Sequence, residues 1–430
     1  MSEPTVGPFS RSPTTGDESP VRIGVASETG RLECVIVHTP GIEVNLVSPA
    51  NREDLLFEDI LFLDEARREH EQMCAVFEII IGSQDGVLQL ASLLRESFES
   101  ADARESFVER LCREVSEMNL LAVRSELLRL EPDELHQFAL TGDSALPVFA
   151  QPVPNLLFTR DLASAVGDHV IVGRPATRAR AREAVIMDTV FSYHPSFASI
   201  SERIIRLPDG VTFEGGDLIV ASDKVVMIGH SERTTFGGVL TITRELLERT
   251  PVEHVVLVNL PKKRWCMHLD TVFTFASGSE CVIFPPIIEL TGHGNVVHFS
   301  KGERDGLLLA DVSHGLKSVL EHLLDRTLTF IPCGGFSLLD QQREQWTDGS
   351  NFFAPMDGVV LGYERNDRTF AMMEDHGYRV VTADGFLSFY QSGSFDGDEK
   401  VAIKLEGKEL SRGRGGPRCM TLPLARALEA

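Results

Sequence analysis

The hydrophobic pattern of the chain changes near residue 150. Before that point it has one short apolar run, at residues 34–37, which predicts a strand ending at the turn Thr39-Pro40-Gly41. Apolar positions in residues 52–80 and 86–141 recur mostly at spacings of three and four, which predicts helices. Pro132 suits the first turn of one of them. We interpret the apolar stripes in the second segment as core, and they comprise Phe107, Leu111, Val115 and Met118, then Leu120, Val123, Leu127 and Leu130.

After Pro154 the pattern becomes short Val- and Ile-rich runs separated by turn signals, and it repeats. Each unit reads as hairpin, helix and strand, and the units open at Asp161, Asp217, Asp270 and Asn351. An irregular repeat of this kind predicts several copies of one supersecondary unit around a shared core. The strand near residue 35 and the segment leading to the C-terminus bring the total to about five. A ring of such units would place the equivalent Asp and Asn residues around one axis.

Composition narrows the possible partners and compartment. Of 430 residues, 43% are hydrophobic, 24% are charged, and the formal net charge is -23. An acidic surface repels nucleic acid and anionic membranes, so we expect neither as a partner. No apolar run approaches the roughly 20 residues of a membrane span. The seven cysteines are an odd number without a Cys-x-x-Cys pair, which disfavours a disulfide framework or a zinc site and favours a reducing cytoplasm.

Four segments contain candidate chemistry. They are Phe158-Thr159-Arg160-Asp161, Glu214-Gly215-Gly216-Asp217, His268-Leu269-Asp270 and the Gly-rich loop Gly413–Thr421 around Cys419. Each alone has an ordinary structural explanation, such as a turn, a hairpin cap or a satisfied core histidine. Three of them border repeat starts, so the predicted ring would bring them to one end of its axis. Two arginines in the loop should favour the thiolate of Cys419.

Together these segments resemble the arginine deiminases, a guanidine-modifying family of the pentein superfamily, from about Val25 to the C-terminus. The resemblance implies an α/β fold, a five-fold pseudosymmetric α/β propeller with an inserted helical domain. We expect a disordered tail at residues 1–20, since they are polar and lack the apolar stretch of a signal peptide. Residues 21–75 and 150–430 would form the catalytic propeller, and residues 76–149 the helical insertion.

The resemblance also assigns site residues. It implies a catalytic set of Cys419 as nucleophile, His268 with Glu214 beside it, and two guanidinium-binding carboxylates, Asp161 and Asp270. It implies substrate contacts from Asn155, Phe158, Arg180, Arg233, Arg414, Gly413 and Leu56. The arginines in this second set would bind the substrate's carboxylate. No step of the implied reaction needs a metal or another cofactor.

The implied reaction is hydrolysis of L-arginine to L-citrulline and ammonia, in arginine catabolism, through an alkylthiouronium bound to Cys419. Two features depart from the family pattern, since Pro417 and Arg418 stand where a glycine and a histidine are usual, and residues 386–410 form a longer segment. We further expect a cytoplasmic homo-oligomer, either a dimer or a tetramer.

Three alternatives stay open or are disfavoured for stated reasons. An amidinotransferase or a methylarginine hydrolase would use the same scaffold. A non-enzymatic pentein-fold binding protein, such as a ribosome anti-association factor, has no need for Cys419, His268, Glu214 and both aspartates at once. A papain-like thiol hydrolase would have its cysteine before its histidine, which is the reverse of the order here.

Overall fold

The computed structural model describes residues 20–115, 120–143, 150–289, 295–302, 307–313, 315–395, 397 and 399–428. The strands are β1 Leu32–Val37, β2 Val87–Gln89, β3 Ala163–Val166, β4 His169–Val172, β5 Ile204–Ile205, β6 Leu218–Val220, β7 Val225–His230, β8 His254–Asn259, β9 Phe273–Ser277, β10 Glu280–Ile283, β11 Val296–Lys301, β12 Leu308–Ser313, β13 Thr329–Pro332, β14 Phe353–Met356, β15 Val359–Tyr363, β16 Arg379–Thr382, β17 Val401–Leu405 and β18 Leu422–Arg426. The helices are α1 Ile42–Asn45, α2 Leu63–Ile81, α3 Leu90–Ser97, α4 Ala101–Glu114, α5 Leu121–Leu127, α6 Pro132–Thr141, α7 Ala181–Tyr193, α8 Phe236–Arg249, α9 Pro285–Ile288, α10 Leu316–Leu324, α11 Leu338–Trp346, α12 Asp367–Asp375 and α13 Ala383–Gln391.

Five small sheets share one plan, as the sequence repeat predicts. In each, two strands pair antiparallel and a third joins parallel after a helical connection, as in β3, β4 and β5 with α7 between the last two. The same arrangement recurs in β6-β7-β8, β9-β10-β13 and β14-β15-β17. A parallel pair requires a crossover connection, which is why every unit contains a helix.

The fifth sheet joins the two ends of the described chain. Strand β1 pairs antiparallel with β18, where Val35 faces Pro423, and parallel with β2, where Val35 faces Val87. The segment that follows Cys419 therefore completes the unit that begins near residue 32. Strands β11 and β12 extend the sheet of β6–β8, and β16 extends the sheet of β14, β15 and β17.

Three expectations for the first 150 residues need correction. The helix expected over residues 52–80 begins only at Leu63, because turns occupy residues 49–56. Residues Val87–Gln89, within the block expected to be helical, form a strand because they pair with β1. Leu120, expected in a core stripe, precedes α5 and is 59% exposed. Met118 lies outside the described residues.

The remaining helices of this block share a core with the sheets. Phe107 and Leu111 of α4 and Phe138 of α6 are fully buried in the cluster that also contains Val190 of α7 and Ile171 of β4. Pro132 occupies the first turn of α6, as predicted. The division into a propeller and a separate helical insertion stays a prediction. Within the described part of the chain, no helix combines the length and hydropathy needed to cross a membrane.

The repeat-start residues occupy the same structural place in each unit. Asp161, Asp217 and Asp270 lie in short 3-10 turns that lead into β3, β6 and β9, and Asn351 lies just before β14. All four side chains are buried. Asp217 accepts a hydrogen bond from the backbone N–H of Leu269 at 2.9 Å, so one unit's acid holds the turn of the next. This shared position brings the acidic residues toward one centre.

Candidate active site

A pocket lies at the entrances to the first strands of these units. All of the predicted site residues line it except Glu214 and Asp270, which contact lining residues. The full lining is Leu56, Asn155, Phe158, Asp161, Arg180, Arg233, Arg264, Met267, His268, Thr271, Asp348, Gly413, Arg414 and Cys419.

The carboxylates of Asp161 and Asp270 are held in the same way. Each is buried and has its Oδ2 atom bonded to a buried arginine, Arg180 for Asp161 and Arg418 for Asp270. Their Oδ1 atoms are also buried, and neither has a hydrogen-bond partner among the described residues. An unsatisfied buried acceptor is costly unless a ligand or water completes it. The pair therefore offers two acceptor atoms for a ligand.

His268 is surrounded by carboxylates. Its Nε2 atom lies 2.9 Å from Glu214 Oε2, and its Nδ1 atom lies 3.6 Å from Asp161 Oδ1. Burial disfavours a charged imidazole, but Asp161, Glu214 and Asp217 outweigh it and raise the pKa of His268 to about 9. Burial also opposes the charge on Glu214, yet Arg233 and His268 hold the pKa of that carboxyl well below its usual range. The pair is therefore an imidazolium beside a carboxylate at neutral pH.

Gly216 allows this close approach. A Cβ atom at that position would lie 2.7 Å from Nδ1 of His268 and 2.9 Å from Oδ1 of Asp161. Real Cβ contacts are essentially never that short. The glycine in Glu214-Gly215-Gly216-Asp217 is thus required by packing against the imidazole, and the segment is more than a turn.

Cys419 is buried beside the second carboxylate. Its Sγ atom lies 3.9 Å from Asp270 Oδ2, and its backbone N–H donates to Asn351 Oδ1 at 3.1 Å. Asn351 Nδ2 in turn donates to the carbonyl of Asp270 at 3.0 Å. The fourth repeat-start residue therefore ties the cysteine loop to the turn of the third unit.

The expected stabilisation of a thiolate at Cys419 is wrong. Burial, followed by the charges of Asp270, Asp161 and Asp348, raises the pKa of this thiol well above its usual value. The neighbouring guanidinium of Arg418 is bonded to two carboxylates, and one of them is Asp270, which also contacts the sulfur. This shift favours the thiol form of Cys419.

The arginines predicted to bind the substrate carboxylate differ in how many hydrogen bonds they already form within the protein. The guanidinium of Arg414 lies 3.7 Å above the ring of Trp346, and its Nε and Nη1 atoms have no hydrogen-bond partner among the described residues. Arg233 donates Nη1 to both oxygens of Glu214, at 3.2 and 3.3 Å. Arg414 is therefore the more open of the two to an incoming anion.

Arg180 is already bonded within the protein. Beyond Asp161, it donates Nε to Glu183 at 2.7 Å and Nη2 to the carbonyl oxygen of Asn155 at 3.1 Å. Asn155 itself donates its side-chain amide to the carbonyl of Leu55 at 2.7 Å. Arg180 therefore orients the carboxylate of Asp161. Its contact with a substrate carboxylate stays a prediction.

Comparisons with known proteins identify the family of this chain. The family model for arginine deiminase matches residues 53–426. The chain belongs to the arginine deiminase family. It is 32% identical to the arginine deiminase of Listeria monocytogenes serotype 4a, over 94% of this chain and 98% of that protein. It is also 32% identical to that of Bacillus thuringiensis subsp. konkukian, with the same coverage. As a member of this family, the protein is a hydrolase that acts on a linear amidine C–N bond.

The fold prediction is confirmed at the level of architecture. An amidinotransferase from Microseira wollei matches with a TM-score of 0.53 over 95% of this chain and 99% of that one, at 12% sequence identity. At that identity the likeness concerns the fold alone. With the five sheets of one plan, it supports the α/β pentein architecture expected from the repeat.

Four lining residues of this arginine deiminase family site were missed by sequence reasoning. Asp348 is buried with φ of 62°, and burial raises the pKa of its carboxyl to about 7 despite the charge of Arg414. Its position three residues before the repeat-start residue Asn351 was a signal by which the sequence could have indicated it as a site residue. Met267 and Thr271 flank the His268 segment. Arg264, which donates to the carbonyl of Leu56 at 2.8 Å, carried no signal.

A metal is a poor fit for the one candidate ligand cluster in the described part of the chain, which consists of Asp161, Glu214 and His268. Arg180 and Arg233 already bond both of its carboxylates. Since His268 is protonated and bonded to Glu214, its Nε2 atom lacks the lone pair that a metal ion needs. The donor set suits an imidazolium and a flat organic cation.

Proposed function

We propose that this member of the arginine deiminase family hydrolyses free L-arginine to L-citrulline and ammonia, as part of arginine catabolism. Two observations carry the proposal: Asp161 and Asp270 each have a buried Oδ1 atom without a hydrogen-bond partner among the described residues, and Oδ2 of Asp270 lies 3.9 Å from the sulfur of Cys419. A guanidinium is planar, always charged and an N–H donor on every nitrogen. It matches two buried carboxylates better than an uncharged substrate would.

The clamp formed by Asp161 and Asp270 would both bind and activate the guanidinium. Each carboxylate would accept from it through Oδ1, since Oδ2 is held by Arg180 or Arg418. Each aspartate would therefore bind the guanidinium through one oxygen atom and not through both. Bonding at the nitrogens concentrates positive charge on the central carbon, which makes it a better electrophile.

Substrate binding would also activate the nucleophile. The thiol pKa of Cys419 is high because of burial and three nearby carboxylates. A bound guanidinium would replace that repulsion with attraction, so the thiol would release its proton to solvent and the thiolate would form next to the carbon that it attacks. The S–C bond forms, and a tetrahedral intermediate results.

His268 would serve both halves of the reaction. As an imidazolium it would donate its proton to the departing nitrogen, which leaves as ammonia and yields the alkylthiouronium. The neutral imidazole would then take a proton from water, whose oxygen attacks the same carbon. Cleavage of the S–C bond releases L-citrulline, and the thiolate recovers a proton. Glu214, 2.9 Å from Nε2, would orient the ring and stabilise its charged form.

Selection of a free amino acid would depend on the cations at the pocket. Arg414, with two unpartnered nitrogens, would bind the substrate carboxylate, with Arg180 and Arg233 nearby. Asn155, Phe158, Gly413 and Leu56 would contact the aliphatic part and the ammonium. Agmatine, which lacks a carboxylate, should therefore be a poor substrate.

Citrulline formation by the purified protein tests the proposal. L-Arginine, agmatine and methylated arginines should be compared in a colorimetric citrulline or urea-group assay, with ammonia release measured in parallel. We expect equal amounts of citrulline and ammonia from L-arginine. Added amine acceptors should not reduce citrulline, and a guanidino product formed from them would favour amidino transfer instead. No product from arginine would contradict the proposal.

A cytoplasmic location and a homo-oligomer, either dimer or tetramer, stay predictions. Light scattering coupled to size-exclusion chromatography would test the second, since a mass near that of one chain would contradict it. Fractionation of the source cells would test the first.

A further inference from the structure

Arg418 forms a buried bridge between Asp270 and a residue near the start of the described chain. Its Nη1 atom donates to Asp270 Oδ2 at 2.9 Å, while Nε and Nη2 donate to the two oxygens of Glu28 at 3.1 and 2.9 Å. Nη2 also donates to the carbonyl of Leu218 at 2.8 Å. The side chains are 1%, 0% and 9% exposed for Arg418, Asp270 and Glu28. A fork of this shape needs the planar guanidinium, which a lysine lacks.

Glu28 is itself fixed on two sides. Its Oε1 atom accepts from the backbone N–H of Val220 in β6 as well as from Arg418. Burial opposes its charge, but Arg418 and Arg160 lower the pKa of this carboxyl to about 2. The bridge therefore consists of one guanidinium between two carboxylates, and it connects the segments next to β1 and β18 with β6 and with the turn that leads into β9.

We propose that Arg418 and Glu28 are positioning residues for Asp270: the guanidinium keeps that carboxylate ionised and turns its Oδ1 atom toward the pocket, and Glu28 holds the guanidinium in place. This proposal rests on the proposed function for the identity of the ligand. Neither Arg418 nor Glu28 lines the pocket, and Nε, Nη1 and Nη2 of Arg418 are all bonded to other groups, so both residues act through Asp270.

The charges around Asp270 define what the bridge must overcome. Burial raises the pKa of Asp270 above its usual value, and Asp161 acts in the same direction, even though Arg418, His268 and Arg160 lower it. Asp348 and Cys419 also face this carboxylate. Among the cations, Arg418 is the one bonded to Asp270. Removing it would leave the carboxylate buried without a direct counter-ion, so the protonated form would gain.

The test measures arginine binding against pH by calorimetry in the Cys419→Ala background, where turnover cannot interfere. We compare E28Q with the double variant E28Q/R418M, in which the buried bridge loses one charge of each sign and so keeps its net charge. The acid midpoint of binding should rise by about 1–3 pH units in the double variant, the shift expected for a nearby opposite charge. E28Q alone should lower it, because one competing carboxylate is gone. R182M, which removes another buried arginine, should leave the midpoint unchanged.

In the Cys419-containing protein, E28Q/R418M should also lower kcat by about 100-fold, as the loss of one electrostatic contact does. A double variant that folds but keeps the parent midpoint would overturn the proposal, even if kcat falls, because that pattern indicates packing alone. If circular dichroism shows that the double variant does not fold, E28Q decides, since an unchanged or raised midpoint would overturn it. Absence of arginine binding in the Cys419→Ala parent would instead contradict the proposed function.

Discussion

The Sγ atom of Cys419 lies 3.9 Å from the Oδ2 atom of Asp270, with both side chains buried. A carboxylate at that distance opposes a second negative charge, and burial adds to the effect. The proposed nucleophile and the proposed guanidinium-binding acid are therefore in electrostatic conflict. A guanidinium between them would remove the conflict. This relationship makes the cationic ligand part of the activation of the thiol.

Replacing Cys419 by alanine should abolish citrulline formation and leave arginine binding intact. The clamp carboxylates stay in place, whereas the atom that forms the covalent intermediate is gone. A citrulline assay and calorimetry measure the two properties. Cys34→Ala, at a half-buried cysteine of β1, is the matched control and should remain active. Turnover by the Cys419→Ala variant at the rate of the parent protein would exclude Cys419 as the nucleophile.

Asp161→Asn should weaken both arginine binding and turnover, with kcat/KM falling by at least about 100-fold. The amide keeps the shape but removes the charge that pairs with the guanidinium and contributes to the high pKa of His268. Steady-state kinetics separate the effects on kcat and KM. Asp168→Asn, at the exposed turn between β3 and β4, should behave as the parent protein. A near-normal rate for the Asp161 variant would show that the clamp is misassigned.

The kcat/KM profile should fall on the alkaline side near pH 9, since His268 must be protonated to donate to the leaving nitrogen. Its pKa is raised to about 9, so the charged form predominates below that pH and is lost above it. Glu214→Gln should move this limb to lower pH, because the ring loses a carboxylate that favours its charge. Glu202→Gln, at an exposed position, should leave the profile unchanged. If Glu214→Gln leaves the alkaline limb at the same pH, the limb reflects the titration of a group other than His268.

Gly216→Ala should reduce kcat by about 10-fold or more while the protein still folds. The new methyl group would lie 2.7 Å from Nδ1 of His268, so the imidazole or Asp161 must move, and small misplacements of reacting groups are costly. Kinetics and thermal unfolding should be measured together. Gly24→Ala, where the nearest atom would be 3.5 Å away, is the control. An active Gly216 variant would show that the tight packing is unnecessary.

Arg414→Ala should lower kcat/KM for L-arginine by about 10- to 100-fold, the value of one charge-assisted hydrogen bond at about 1.5–3 kcal/mol. It should have little effect on the slow turnover of agmatine, which has no carboxylate to bind. Comparison of the two substrates therefore isolates this contact. Arg412→Ala removes an arginine two positions away that pairs with Asp59 and Glu409, and it should not discriminate between substrates. Equal losses on both substrates would argue against carboxylate recognition by Arg414.

Local pattern was informative where the sequence repeats. The short Val- and Ile-rich runs between turn signals correspond to strands such as β4, β7, β10 and β15, because a continuous apolar run bounded by turn residues is typical of a fully buried strand. The repeat also singled out Asp161, Asp217 and Asp270, because they occupy equivalent positions at the starts of their units. Prediction failed where pairing partners decide, as in β2, which is a strand because β1 lies beside it.

Sequence by itself determined the repeated unit, the identity of the reactive groups and the family, since these depend on residue type and spacing. Only the tertiary structure decided how charge is distributed around them. It bonded Arg418 to Glu28 and Asp270, and it brought Asp348 to the pocket. The physical reason is that electrostatic energy depends on distance and burial in space, and neither can be read from separation along the chain.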